Sequence, residues 1–207
     1  MRIREGLLAG ILLLALTACE KKETQAIVAD EFKDFKLEEI SGSTGAQRAV
    51  KMDSQGKIVA EGVLVNGRKS GAWIYYEGLT SSFPTRIETY VDGVQNGPYF
   101  ELGVNGQIKL QTSYKDDKLH GKWTQFSFSR PLIEAEYLDG KLNGAYREYE
   151  LRDGKIKKEI NYKNGKLDGP YRFYNPQGQI TLEYLYNDGE QVSGAIMDTT
   201  AAKNIPK

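Results

Sequence analysis

Apolar and polar residues alternate along much of this chain. Between Ile108 and Lys115, the side chains of Ile108, Leu110, Thr112 and Tyr114 share one parity, and Lys109, Gln111, Ser113 and Lys115 take the other. Ile180, Leu182, Tyr184 and Tyr186 repeat the pattern. A period of two puts each set on one face of a β-strand. Short aromatic stretches bounded by glycine, such as "GAYREYEL", predict the partner strands. Between the two kinds stand Asn105-Gly106, Arg130-Pro131, Asp153-Gly154 and Asn175-Pro176-Gln177-Gly178. These read as turns, because Asn-Gly and Asp-Gly accept the positive φ of a tight hairpin. The pattern therefore predicts antiparallel hairpins.

The hairpins recur. "NGRKSGAWIYY" at Asn66 is followed by "DGVQNGPYFEL" at Asp92, "DDKLHGKWTQF" at Asp116, "DGKLNGAYREY" at Asp139 and "NGKLDGPYRFY" at Asn164. A clipped unit, "DGEQVSG", starts at Asp188, and a half copy, "DSQGKIVAEGVLV", starts at Asp53. Such self-similarity is the mark of a repeat array, in which each unit buries its apolar face against its neighbours. The chain is thus expected to be all-β, an elongated single-layer antiparallel β-meander of about ten strands, on the order of 50 Å long. The first full unit carries the insertion "EGLTSSFPTR" and sets Ile87 on the face opposite Tyr90, which predicts a longer loop or a bulge there.

One feature of the repeat bears on binding. Trp73, Tyr99, Trp123, Tyr146 and Tyr171 occupy equivalent positions in successive units, on one face and about 10 Å apart. They form either a packed core that shields neighbouring glycines or a binding stripe for a protein or glycan. A second column, Tyr76, Phe126, Tyr149 and Tyr174, lies three residues on and so faces the other way. A single layer cannot hide both columns, and one of them is expected to be partly exposed.

Gly, three residues, Gly, a spacer and an aromatic, followed by a strand and Tyr-x-x-Gly, resembles the MORN repeat. It is closest to the variant in bacterial proteins often labelled antitoxin components, and the resemblance runs from about Asp53 to Gly194. It implies an elongated sheet built hairpin on hairpin, with roles that range from scaffolding to lipid binding. The family label also implies an alternative, an antitoxin or immunity-type protein that neutralises a toxin by binding it. Asp117 in place of the first Gly, and Leu102 in place of the second aromatic, depart from the pattern.

The N-terminus opens with Arg2 and Arg4, an apolar run from Leu7 to Leu16, and small residues. This is the layout of an export signal. "LTAC", Leu16 to Cys19, resembles the lipobox of bacterial lipoproteins, which implies diacylglycerol on the Cys19 thiol and cleavage in front of it. Cys19 is the only cysteine, so no disulfide partner exists within the chain. The expected division is a signal peptide over 1–18, a tether and possible cap over 19–52, the repeat domain over 53–194 and a disordered tail over 195–207. Within the tether, Ile27, Phe32, Phe35 and Ile40 fit either a helical stripe or an extended segment, and "SGSTGAQ" from Ser41 reads as a linker. By resemblance to sorting in Gram-negative cells, Glu20 after the cysteine points to the outer membrane. The expected partners are the membrane, through lipidated Cys19, and a protein or envelope polymer.

Charge narrows the function further. Without Arg2, Arg4 and Glu5 of the signal, the chain carries 26 basic and 27 acidic residues. That leaves no basic surplus for nucleic acid, whose binding rests on phosphate neutralisation. His120 sits in a repeat turn with no second histidine for a metal site. Asp139, Asn143, Gly144 and Glu150 fall at calcium-loop positions, but Lys141 occupies a ligand position, which leaves a repeat turn. Glu134 and Glu136 share a strand face that reads as solvated. No catalytic, metal or cofactor site is expected, and the chain reads as a non-enzymatic scaffold or binding module.

Overall fold

The computed structural model describes residues 31–76 and 83–197. The strand segments are β1 Phe35–Glu39, β2 Ala46–Met52, β3 Ile58–Val65, β4 Arg68–Tyr75, β5 Arg86–Val91, β6 Val94–Gln95, β7 Gly97–Leu102 and β8 Ile108–Lys115. They continue as β9 Lys118–Leu119, β10 Gly121–Ser127, β11 Arg130–Leu138, β12 Lys141–Leu142, β13 Gly144–Tyr149, β14 Ile156–Lys163, β15 Lys166–Tyr174, β16 Ile180–Asn187 and β17 Glu190–Ile196. Successive long strands pair antiparallel, with β5 taking both β6 and β7, β8 both β9 and β10, and β11 both β12 and β13, so the 17 segments form one open meander. The short β6, β9 and β12 are lead-ins to β7, β10 and β13, interrupted at Asn96, His120 and Asn143.

The sheet starts earlier than the repeat pattern indicates. β1 and β2 precede Asp53, and the expected linker from Ser41 is the turn that joins them. Their pairing runs from Phe35 opposite Lys51 to Glu39 opposite Gln47. Of the two readings left open for the tether, helical stripe or extended segment, the chain from Phe32 onward takes a turn, closed by the Phe35 N–H on the Phe32 carbonyl at 2.9 Å, and then an extended strand. At the other end β17 takes in Ala195 and Ile196, which pair with Glu183 and Leu182, so the sheet runs past Gly194. Residues 1–30 and 198–207, including Cys19 and the signal, lie outside the described residues.

The Asn-Gly and Asp-Gly turns form as expected. Asn66, Asp92, Asp139, Asn164 and Asp188 have φ of 49–52°, each followed by a glycine with positive φ. Asp117 holds the same geometry without glycine, at φ 60°. Its Oδ1 accepts from the Gln95 N–H at 2.7 Å, and its own N–H donates to the Gln95 carbonyl. These turns stack into a ladder. The N–H groups of Gly93, Gly140, Gly165 and Gly189 donate to the carbonyls of Lys69, Leu119, Leu142 and Leu167, one unit earlier, at 2.7–2.8 Å.

One turn lies elsewhere. Between β10 and β11 the positive-φ pair is Phe128-Ser129, at 49° and 61°, while Arg130 and Pro131 belong to the strand. Pro131 opposes Phe126 near the hairpin end, next to a bulge, where a missing N–H is tolerated. In the first unit, β4 and β5 pair without a register shift, Ile74 opposite Ile87 and Gly71 opposite Tyr90. Of the longer loop or bulge expected there, the pairing shows no bulge; Tyr75 ends β4 and Arg86 starts β5, and 77–82 between them are outside the described residues.

Candidate binding face

Register sorts the side chains into rows that cross the sheet. On one face, termed A, Ala49 pairs with Gly62, Tyr99 with Thr112, Trp123 with Ala135, and Tyr146 with Ile160, which in turn pairs with Tyr171. Each member of the aromatic column therefore has a smaller residue beside it for much of the row. The closing tyrosines form a parallel row opposite the repeat glycines: Tyr90 faces Gly71, Tyr114 Gly97, Tyr137 Gly121, Tyr162 Gly144 and Tyr186 Gly169. Rings from the two rows meet edge to face, Tyr99 with Tyr114 at 5.5 Å and Tyr146 with Tyr162 at 6.4 Å, a favoured geometry for aromatic pairs. The repeated Tyr-x-x-Gly signalled this second row, but its contact with the first depends on cross-strand register.

Burial along the column is uneven. Trp73 is fully buried in a core with Phe32, Ala49 and Leu64, and its Nε1–H donates to the Val63 carbonyl at 3.2 Å. Phe32 and Phe35 come from the N-terminal segment and lie 5.6 and 5.9 Å from the indole, ring centre to ring centre. Lys69 completes this end. Its Nζ lies 5.1 Å from the Trp73 and Tyr90 rings and 5.9 Å from Phe32, and pairs with Glu31 at 3.0 Å. A cation over ring faces adds electrostatic attraction to the apolar packing. Tyr99, Trp123, Tyr146 and Tyr171 are only half-buried. The column is thus core at its first member and a partly open surface after it.

Polar groups on face A are tied to the rings. Tyr90, Tyr99 and Tyr146 donate their hydroxyls to Glu88, Glu101 and Glu148, at 2.7, 2.7 and 3.2 Å. Burial, reinforced by Glu101, pushes the Tyr99 phenol well above its ordinary value. Burial and the Glu148 carboxylate push Tyr146 up to about 12. Thr112, between Tyr99 and Trp123 in the row, is 4% exposed, and its Oγ1 has no hydrogen-bond partner.

Face B differs between its halves. Val50 is buried, Ile74 pairs with Ile87, and Ile87 with Phe100. Farther along, the same row becomes Glu134, Arg147, Glu159, Arg172 and Glu183, each paired with the next. Arg147 Nε donates to Glu159 at 2.6 Å and Arg172 Nε to Glu183 at 2.5 Å, with Arg172 also 3.8 Å from Glu159. Glu134 accepts from Lys122 and from the Tyr149 hydroxyl, at 2.6 and 2.8 Å. The second aromatic column does face this side, since Tyr149 reaches Glu134 and the Tyr76 hydroxyl reaches Glu61 at 3.3 Å. It too is half-buried. A shallow depression of about 310 Å³ lies on face B among Gln111, Lys122, Thr124, Phe126 and Glu134.

The residues weighed for catalysis or metal binding act as turn and strand residues. His120 Nδ1 lies 3.3 Å from Asp139 Oδ1 in the turn ladder. The Ser113 hydroxyl bonds the His120 carbonyl rather than its ring, so the three do not form a nucleophile–base pair. Asp139 and Glu150 stand at opposite ends of the β12–β13 strand, too far apart to share an ion. Among the described residues no group of three or more His, Cys, Asp or Glu is placed to hold a metal.

No family model matches this chain, and no curated protein matches it. Among solved structures it is similar to a point mutant of S. aureus TarM in complex with fondaparinux, α-GlcNAc-glycerol and UDP, at 13% identity and a TM-score of 0.29, covering 71% of this chain and 23% of that one. A second TarM structure gives 13% identity and a TM-score of 0.27, covering 72% of this chain and 26% of that one. The chain therefore spans about a quarter of the length of these neighbours. Likeness at this level carries no argument about function.

Proposed function

We propose that this chain is a non-enzymatic, MORN-like binding module, exported and tethered to the bacterial envelope through lipidated Cys19, that holds a partner protein on face A. The observation that carries this reading is the seating of Phe32 and Phe35 on Trp73. The chain's own segment fills the aromatic site of the first unit, and Tyr99, Trp123, Tyr146 and Tyr171 repeat that site half-open. Repeated equivalent sites on one surface favour an elongated partner, because each weak contact recurs along the row. The "LTAC" motif and the apolar run before it support the anchor, and Glu20 supports the outer membrane.

Two experiments test the two parts. Cys19→Ser should abolish acyl labelling and membrane fractionation in intact cells; unchanged label would end the anchoring reading. A photocrosslinking residue in place of Tyr146 on face A should capture a protein from the envelope, and one in place of the exposed Lys122 on face B should not. Capture from the face-B position alone would overturn the binding reading.

A further inference from the structure

The two ends of the sheet are not alike. Open β-edges carry unpaired N–H and C=O groups and are usually protected by charge, proline or cover. β1 is protected: Lys36, Glu38 and Glu39 make three of its five residues charged, and Lys36 pairs with Glu38 at 2.7 Å. β17 is not. After Glu190, its residues Gln191 to Ile196 are uncharged, and the whole strand is exposed. Val192 is 61% exposed and Ile196 86%. In the repeat scheme β17 is the front strand of a unit, and the described residues supply no back strand beside it.

We propose that the β17 edge is the docking site for a second copy of this chain, β17 pairing antiparallel with β17 about a twofold axis at Gly194. Hydrogen-bond direction sets the register. The Met197 N–H donates inward, to the Thr181 carbonyl at 2.9 Å. Strand alternation then turns the N–H and C=O of Ile196 and Gly194 outward. Centring the axis on Gly194 makes it a hydrogen-bonded pair with itself. It also brings Val192 of each copy, the extra residue of the β16–β17 bulge, alongside Ile196 of the other, so these two exposed apolar side chains cover each other. Glu190 falls outside this central set. A twofold contact of this kind is self-complementary and closes at two copies. The charged β1 edge does not compete for it.

The test is sedimentation equilibrium on the full chain in detergent over a concentration series. The unaltered chain should approach twice the monomer mass. Val192→Lys combined with Ile196→Lys sets like charges opposite one another and should return the monomer. Val192→Lys combined with Ile196→Glu sets opposite charges across the axis and should restore the dimer. Both positions are exposed, so the far-ultraviolet circular dichroism at low temperature should be unchanged in each variant and serves as the check on folding. A chain that stays monomeric throughout, or a dimer that the double-lysine variant keeps, overturns the proposal. So does a chain that dimerises only after residues 198–207 are removed, since the edge then belongs to its own tail.

Discussion

The indole of Trp73 lies against Gly62 of the neighbouring strand so closely that a Cβ at that position would overlap the ring. Gly62 is thus a space for the ring rather than a turn. Gly62→Ala should cost about 1–3 kcal/mol through overpacking. Trp73→Ala should cost about 3–5 kcal/mol, as buried aromatic truncations do. Trp123 is half-buried, and Trp123→Ala should cost clearly less. Urea unfolding of the three variants checks the order, and equal losses at Trp73 and Trp123 would contradict the burial difference.

Thr112 carries a buried hydroxyl without a partner. Desolvating such a group without compensation costs free energy that a methyl does not. Thr112→Val should therefore raise stability by about 1 kcal/mol, read as a higher denaturant midpoint at unchanged slope. A lower midpoint would show that the hydroxyl is satisfied in solution.

Phe128 and Ser129 both adopt the left-handed region, and the Phe128 side chain is 82% exposed. A non-glycine residue pays roughly 1–2 kcal/mol there. Replacing the pair with Asn-Gly, as in the sister turns, should raise the melting temperature through a gain of about that size. No gain would mean that Phe128 makes a compensating contact.

The face-B ladder predicts a sensitivity to acid. Burial opposes ionisation of Glu134, but the hydrogen bonds from Lys122 and Tyr149 outweigh it and hold its carboxyl below the usual value. A lowered folded value stabilises above the unfolded pKa of about 4.3 and loses that contribution as pH falls through the folded one. Glu134→Gln should flatten the acid limb of the stability curve. Glu159 sits between two arginines, and Glu159→Gln should cost about 1–2 kcal/mol at neutral pH, between the exposed and buried limits for ion pairs. Thermal melts across pH 3 to 7, roughly the carboxylate range, check both.

Alkali should act in the opposite sense. Tyr146 and Tyr149 are both pushed up to about 12, by burial together with Glu148 and Glu134 respectively. A folded value above the unfolded pKa of about 10 stabilises below that pKa and is lost as pH rises through the folded value. Spectrophotometric titration should show phenols ionising late while the sheet persists, and stability should fall across that same window. Titration of every tyrosine near 10 would remove the basis for this expectation.

The period of two and the glycine spacing were enough to read the hairpins, the repeat and the two faces, because strand parity is local and each turn carries its own Asn-Gly or Asp-Gly. The same logic missed β1 and β2: their five- and seven-residue strands lack the repeat's glycines, so only the pairing of β2 with β3 and of β1 with β2 reveals them. Phe128-Ser129 escaped notice because tertiary pairing of β10 with β11 imposes a conformation that those side chains do not favour by themselves. The aromatic column was visible in the sequence as a column, but its burial was not. Trp73 is closed over because Phe32 and Phe35 return across the small Ala49 and Gly62, whereas no described segment returns over Tyr99 to Tyr171. Sequence determines which residues share a face; which part of that face is covered depends on contacts between segments far apart in the chain, and those exist only once the sheet is assembled.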